Sequence, residues 1–216
     1  MKRVFNITIL FTAIIAVFAS CSKDPENTIV NLQTAIIGEI NANAAYKAYQ
    51  AKAEDEGYWK IANLFEAAAA AENIHVKNHK AVLKKLGEPE FVMTAALTKE
   101  PIVKSTAENL QNALAIENHE YEEVYPGFIR TAQKEKCGDA VDTFTWANLA
   151  EENHSGWFEE ALDVLQKTES DKTFTSVWFV CAQCGGLFKN NFSKCRFCQA
   201  ETEKQYFKPL VFEARY

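Results

Sequence analysis

The chain contains two copies of one segment, and this duplication restricts its fold more than any other feature. Residues 31–39 read NLQTAIIGE and residues 109–117 read NLQNALAIE, so Asn, Leu, Gln, Ala and Glu coincide. Further along, identical residues pair at one spacing: Tyr46 with Tyr125, Glu56 with Glu135, Phe65 with Phe144, Glu72 with Glu151, and His75 with His154. Such a repeat indicates two supersecondary units that pack against each other.

Each copy has the pattern of two long helices. Across residues 28–86 and 105–167, apolar positions recur at three- and four-residue spacing, and helix breakers are nearly absent. Residues 87–104, which hold Pro89 and Pro101, form a connection long enough to run the length of a bundle. We therefore predict an all-α four-helix bundle with a long crossover at residues 28–167.

The second copy holds one extra residue between Glu117 and Tyr125. A π-bulge accommodates a single insertion inside a helix, and such bulges often lie at functional sites. We predict a π-bulge beside Glu120, which lies on the same helix face as Glu117 and has Ala42 at the equivalent place in the first copy.

Two of the four histidines follow a glutamate by three residues, on helix faces that are otherwise apolar. Several carboxylates buried in one core require cations, because a buried carboxylate without a partner is costly. One Glu from each of two helices and a Glu-x-x-His from each of the other two is the ligand set of a di-iron carboxylate bundle. The six predicted ligands are Glu39, Glu72, His75, Glu117, Glu151 and His154.

Other side chains around these ligands allow two interpretations. A single Glu-x-x-His would favour a solvated helix face, whereas six ligands at repeat-related positions favour metal. Tyr46 and Tyr125 are either core aromatics or hydroxyl donors to a ligand carboxylate. His79 and His119 lack repeat partners, so we expect them on the surface or against a ligand-bearing side chain.

The cysteines near the carboxyl end predict a second metal site. Cys181 with Cys184 and Cys195 with Cys198 form two CxxC pairs separated by ten residues. Four thiolates at this spacing suit tetrahedral Zn or Fe. We predict a linker at residues 168–176 and a metal-knuckle domain at 177–212, and we interpret Cys137 as an unpaired small residue near a helix junction.

The amino terminus has the zones of an export signal at residues 1–20: Lys2 and Arg3, an apolar run, and small residues at its end. The motif that ends at Cys21, FASC, resembles a bacterial lipobox, which predicts lipidation of Cys21. An ordinary cleaved signal and an uncleaved anchor are the alternatives. We expect a cell-envelope protein held to a membrane only by its lipid, with a tether at residues 21–27. The net charge of −6, without a basic block, excludes nucleic acid as a partner.

The duplicated bundle followed by paired CxxC motifs resembles the rubrerythrin family over residues 28–207. The resemblance implies a ferritin-like di-iron bundle joined to a rubredoxin-like domain, and a peroxidase that reduces hydrogen peroxide to water in oxidative-stress defence. It implies that Glu72 and Glu151 bridge the irons and that Glu39, Glu117 and His154 are terminal ligands. His75 and Glu120 would exchange on one iron. The implied catalytic residues are Glu120, His75, Tyr46 and Tyr125.

The resemblance also implies that a third iron, in the four-cysteine site, donates electrons, and that a homodimer places this domain on the partner's bundle. The external electron donor is not identified. Arg196 stands where the family usually has Pro, and Ile116 and Lys136 where it usually has Gly. Zinc at the cysteines would end electron delivery. The alternative functions are a ferroxidase or iron-handling protein, and an electron carrier or zinc-stabilised binding module.

Overall fold

The computed structural model describes Cys21, residues 25–201 and a strand at residues 204–207. Its helices are α1 (Glu26–Asp55), α2 (Trp59–Lys85), α3 (Thr106–His119), α4 (Tyr125–Lys134) and α5 (Gly138–Thr168). A π-helical segment, Glu120–Val124, joins α3 directly to α4, so the three form one rod. The result is the predicted bundle of four long helices. The predicted export signal lies outside the described residues, within which no helix is long and apolar enough to cross a membrane.

The π-helical segment begins at Glu120, which confirms the predicted bulge. The wider turn accommodates the extra residue of the second copy, so that the ligand positions on either side keep their inward direction. The rod begins cleanly after the crossover, because Ser105 and Glu108 form a capping box.

The two copies differ in backbone strain at their helix junctions. Gly57, between α1 and α2, has φ 83°, and Lys136, at the equivalent place between α4 and α5, has φ 59°. Glycine adopts this left-handed conformation freely, whereas other residues adopt it at a cost of about 1–2 kcal/mol. The Lys136 side chain therefore stands at a position whose backbone favours glycine.

The apolar interior consists of two clusters, and each contributes one tyrosine to the polar centre of the bundle. Tyr46 packs with Phe65 and Phe158, with ring centroids 6.2 and 5.3 Å away. Tyr125 packs with Phe144 in the other cluster, at 6.1 Å. Aromatic packing of this kind holds both rings rigidly beside the site.

The carboxyl-terminal domain is a three-stranded antiparallel sheet with the order β2-β1-β3. Its strands are β1 (Trp178–Cys181), β2 (Leu187–Phe188) and β3 (Lys204–Phe207). The domain packs on the bundle of its own chain, where Trp178 meets Trp157 of α5 at 5.2 Å between ring centroids. The polar side chains of α2 and α5 bond the backbone of this domain, as in the contacts of Asn78 with Gln183 and of Leu187 with Asn153. The partner-subunit contact that the resemblance implies remains a prediction.

Near the junction of α4 and α5, Cys137 forms a disulfide with Cys21. The pairing corrects the expectation that Cys137 is unpaired. It also competes with the predicted lipid, because the Cys21 sulfur carries either a thioether to a lipid or a disulfide. Lipidation of Cys21 therefore remains a prediction.

Candidate metal centre

The bundle brings the six predicted ligands together at its centre, all of them buried. They form two overlapping groups in which the ligating atoms lie within 4.8 Å of one another. One group is Glu39, Glu72, His75 and Glu151, and the other is Glu72, Glu117, Glu151 and His154.

Glu72 and Glu151 belong to both groups, because each directs one oxygen to either histidine. For Glu151, Oε1 lies 2.9 Å from His75 Nδ1 and Oε2 lies 2.8 Å from His154 Nδ1. For Glu72, Oε2 lies 3.0 Å from His75 Nδ1 and Oε1 lies 3.6 Å from His154 Nδ1. This is the arrangement of two carboxylates that can bridge a pair of metal ions.

Both histidines turn Nδ1 toward the carboxylates and Nε2 toward the carboxyl-terminal domain. His75 Nε2 lies 3.0 Å from the Cys184 carbonyl oxygen, and His154 Nε2 lies 3.2 Å from the Gly185 carbonyl oxygen. A carbonyl only accepts hydrogen bonds, so Nε2 of each ring carries the donor hydrogen. This leaves the Nδ1 lone pair for a metal ion.

The residues fit two metal ions on a structural test. Eight buried ligand atoms in the described part of the chain have no hydrogen-bond partner: Glu39 Oε2, Glu72 Oε1 and Oε2, His75 Nδ1, Glu117 Oε2, Glu151 Oε1 and Oε2, and His154 Nδ1. The histidine nitrogens lie at ion-pair distance from the carboxylate oxygens, but their contacts do not have the geometry of hydrogen bonds. Each orphaned polar atom costs about 1–3 kcal/mol, so their convergence is explained by cations. Four carboxylates and two imidazole nitrogens are donors that suit iron.

The predicted seventh ligand, Glu120, lies outside both groups. The structure thus holds the arrangement in which His75, and not Glu120, joins the first group. Burial, and then the charges of Glu39 and Glu151, raise the pKa of the Glu120 carboxyl well above its usual range. Its side chain lies against Gly38, where an added Cβ would be 3.6 Å from Oε1.

Glu120 also lines a cavity of about 570 Å³ between the crossover and helices α1 and α3. Gly38 and Ala42 form part of the α1 wall, and Lys99 and Pro101 belong to the crossover side. The cavity therefore connects the edge of the metal centre with the face that the crossover covers.

Each tyrosine donates its hydroxyl to the terminal glutamate of the opposite copy. Tyr46 donates to Glu117 at 2.5 Å, and Tyr125 donates to Glu39. Burial, with the charge of the bonded glutamate, raises the pKa of both phenols, so both stay protonated. The second oxygen of each glutamate remains free for metal. Both tyrosines are thus hydrogen-bonding residues as well as core aromatics.

The four cysteines of the carboxyl-terminal domain also converge. Cys181 Sγ lies 3.7 Å from Cys198 Sγ, and Cys184 Sγ lies 3.6 Å from Cys195 Sγ. All four can reach one ion, and three of them are fully buried. Four thiolates at these separations fit one tetrahedral iron. Arg196 stacks on Phe197 at 4.7 Å.

Sequence reasoning missed the residues that fasten this domain to the bundle. Asn78 donates to the Gln183 carbonyl at 2.7 Å, and the Leu187 amide donates to Asn153 at 2.7 Å. Gly185 has φ 78°, and a Cβ there would lie 2.5 Å from His75 Nε2. The only signal for this contact was the glycine that directly follows the first CxxC motif. As expected, His119 is exposed and pairs with Glu123, whereas His79 is buried.

We predict that the metal-free chain loses stability as pH rises from 6 to 9. Burial and the charge of Glu151 raise the pKa of Glu117 to about 8. Burial opposes the charge on His75 and His154, yet the surrounding carboxylates raise both pKa values well above the usual range. Groups with raised pKa values stabilise the fold below their unfolded pKa, and this stability is lost as pH rises through the folded pKa.

Thermal unfolding of chelator-treated protein across this pH range measures the effect. The iron-loaded chain is the control and should change much less, because the metal replaces the protons. A melting temperature of the metal-free chain that stays constant or rises with pH contradicts the prediction.

The ligand set and the helix arrangement define a ferritin-like di-iron carboxylate protein with a rubredoxin-like iron domain. A sequence profile of rubrerythrin matches residues 30–162. The chain belongs to the rubrerythrin family.

Several relatives support this assignment. The chain is 36% identical to nigerythrin of Nitratidesulfovibrio vulgaris over 173 residues, which cover 80% of this chain and 82% of that protein. It is 33% identical to rubrerythrin-2 of Clostridium acetobutylicum, over 80% and 92% of the two chains. A structure of mixed-valence nigerythrin superposes with a TM-score of 0.71 and 32% identity, covering 97% of this chain and 96% of that one. The two domains therefore occur together in a relative of known structure.

Proposed function

We propose that this protein is a peroxidase that reduces hydrogen peroxide to water with electrons from its four-cysteine iron. The observation that carries the proposal is the contact between the two metal sites. His75 lies in the first ligand group through Nδ1 and bonds the Cys184 carbonyl through Nε2 at 3.0 Å. A single imidazole thus links the two sites, and an iron-storage bundle has no use for that link.

Two irons held by the six ligands would supply the two electrons that reduce one peroxide to two waters, and this reaction also consumes two protons. Side chains of this chain can hold such protons beside the site. Glu120 lies outside both ligand groups, and burial, and then the charge of Glu39, raise the pKa of its carboxyl well above the usual range, which favours the protonated form. Glu120, which also lines the crossover cavity, is placed to hold a proton where peroxide arrives.

The test is an anaerobic mixing experiment with the reduced, iron-loaded chain and stoichiometric peroxide. Oxidation of the four-cysteine iron produces a ferric-thiolate absorption, and we expect it to appear at a rate that increases with peroxide concentration. If the bundle is oxidised without thiolate absorption, the proposal fails and iron oxidation describes the protein better. Free ferrous iron at the same concentration is the control. Peroxide consumption no faster than in this control would also overturn the proposal.

We propose further that the protein lies in the cell envelope, held there by a lipid on Cys21. The FASC motif supports this location. The disulfide between Cys21 and Cys137 agrees with an exported location, because it needs an oxidising compartment, but it excludes the lipid, because it uses the Cys21 sulfur.

Intact mass of the protein purified from membranes and from soluble extract distinguishes these outcomes. A lipidated chain carries the mass of its acyl groups and one free Cys137 thiol, which thiol labelling detects. A disulfide-bonded chain has no acyl mass, and it gains two labelled thiols only after reduction. Cys137→Ser is the matched variant: lipidation is unaffected by it, whereas disulfide formation is lost.

We also propose a homodimer and an external electron donor that reduces the four-cysteine iron. In a dimer that exchanges the carboxyl-terminal domains, the contacts seen within this chain would form between subunits. Mass measurement in solution tests the dimer, and cross-linking between Asn78→Cys and Gln183→Cys in mixed tagged chains tests the exchange. Cross-links confined to single chains would leave the domain on its own bundle.

A further inference from the structure

A histidine that is not a metal ligand bonds one of the two tyrosines beside the metal centre. His79 is fully buried in α2, one turn after His75. Its Nε2 lies 3.2 Å from the Tyr125 hydroxyl, and its Nδ1 lies 3.0 Å from Thr143 Oγ1. A line of hydrogen bonds therefore runs from Thr143 through His79 and Tyr125 to the metal ligand Glu39.

The hydrogen positions along this line of hydrogen bonds follow from the number of available protons. Tyr125 has one hydroxyl hydrogen, which it donates to the Glu39 carboxylate. Its oxygen must therefore accept from His79, so the imidazole carries its hydrogen on Nε2. The unprotonated Nδ1 then accepts from the Thr143 hydroxyl. Burial and the nearby His75 lower the pKa of His79 to about 3, in agreement with a neutral ring.

The other copy of the repeat lacks the residues that form this line of hydrogen bonds. With the spacing that pairs His75 with His154, His79 corresponds to Phe158 and Thr143 corresponds to Leu64. Phe158 packs on Tyr46 at 5.3 Å between ring centroids and offers no hydrogen bond. The tyrosine hydroxyls on Glu39 and Glu117 therefore differ in their own hydrogen bonding. Tyr125 both donates to Glu39 and accepts from His79, whereas the equivalent positions near Tyr46 hold the apolar Phe158 and Leu64.

We propose that His79 is a positioning residue that holds the Tyr125 hydroxyl on Glu39. It thereby distinguishes the metal position of the group with Glu39 and His75 from that of the group with Glu117 and His154. A hydroxyl that also accepts a hydrogen bond is a stronger and better-directed donor, because bonds in a chain polarise one another. The first group contains His75, and Glu120 lies beside it. A Glu39 held in this way stays in place as a ligand at the metal position that has the additional carboxylate of Glu120 nearby. The inference rests on the proposed function only where it predicts an effect of His79 on peroxide turnover.

The primary experiment reads the tautomer directly. Nitrogen-15 NMR of the full chain, loaded with diamagnetic zinc, should show His79 as the Nε2–H tautomer. Thr143→Val, which is isosteric and removes only the hydroxyl, should shift the His79 Nδ1 resonance. A His79 ring in the Nδ1–H tautomer would overturn the proposal, as would a Thr143→Val spectrum unchanged at His79.

A second measurement uses matched variants in the iron-loaded chain. His79→Phe copies the other half of the repeat, whereas His79→Gln keeps an amide donor close to the position of Nε2. We expect His79→Phe to alter the Mössbauer parameters of one iron only, and to slow peroxide-dependent oxidation about fivefold, the size of one net hydrogen bond. His79→Gln should restore both. Equal effects of the two variants, or changes at both irons, would contradict the proposal.

The control is Phe158→Leu, which changes packing beside Tyr46 and no hydrogen bond. The tautomer and the iron spectra do not depend on peroxidase activity. A chain that fails as a peroxidase can therefore still confirm or overturn the role of His79.

Discussion

Gly185→Ala is expected to slow electron transfer between the two metal sites by about tenfold or more. The new Cβ would lie 2.5 Å from His75 Nε2 and 3.2 Å from the Ala71 side chain. The backbone at φ 78° adds about 1–2 kcal/mol for any residue with a Cβ. Each 1.4 kcal/mol lost from docking lowers the equilibrium constant for docking about tenfold. The carboxyl-terminal domain should therefore leave the bundle, and the hydrogen bond from His75 to the Cys184 carbonyl should break.

The measurement is the anaerobic rate at which ferric-thiolate absorption appears after peroxide is added. The chain offers a matched control in Gly57→Ala. Gly57 has φ 83°, so the backbone strain is the same, but its added Cβ would meet no atom within 4 Å. We expect Gly57→Ala to lower stability without slowing electron transfer. Equal rates in wild type and Gly185→Ala would show that the docking contact does not carry the electrons.

The second large effect is expected from Glu151→Ala, which should remove both irons from the bundle. Glu151 is shared by the two ligand groups and directs one oxygen to each histidine at 2.8–2.9 Å. Its carboxylate is also the nearest counter-charge of both imidazoles. Burial opposes the charge on Glu151, yet the two histidines lower its pKa well below the usual range. Removing it leaves Glu72 as the single shared carboxylate, so neither position keeps a complete ligand set.

Iron content per chain measures this prediction, and the ferric-thiolate spectrum gives an internal reference. The bundle iron should be lost while the four-cysteine iron remains, because its ligands lie in another domain. Peroxide reduction should fall to the rate of free iron. Glu152→Ala is the control, since Glu152 is the adjacent glutamate on the exposed face of α5. Full bundle iron in Glu151→Ala would show that this residue is not required for the site.

Much of the di-iron site could be predicted from the sequence because its determinants are local. Spacing of three puts Glu72 and His75 on one face, and the apolar neighbours direct that face inward. The duplication then supplies the symmetric half of the site, and a single inserted residue predicts the π-helical turn at Glu120. The two CxxC pairs likewise identify a thiolate site by their spacing alone.

Only the tertiary structure decided which groups meet across the helices. Tyr46 bonds Glu117 and Tyr125 bonds Glu39, although each tyrosine follows the other glutamate in sequence. The structure also decided that Cys137 meets Cys21.

The same holds for the surroundings of the site. Packing made His79 a buried partner of Tyr125 and seated Gly185 on the ring of His75. The physical reason is that helical periodicity fixes the direction of a side chain within its own helix, whereas contacts between residues tens of positions apart depend on how helices and domains pack. The sequence by itself therefore determined the ligands and their helices, and the tertiary structure determined the hydrogen bonds that orient them and the contact between the two metal sites.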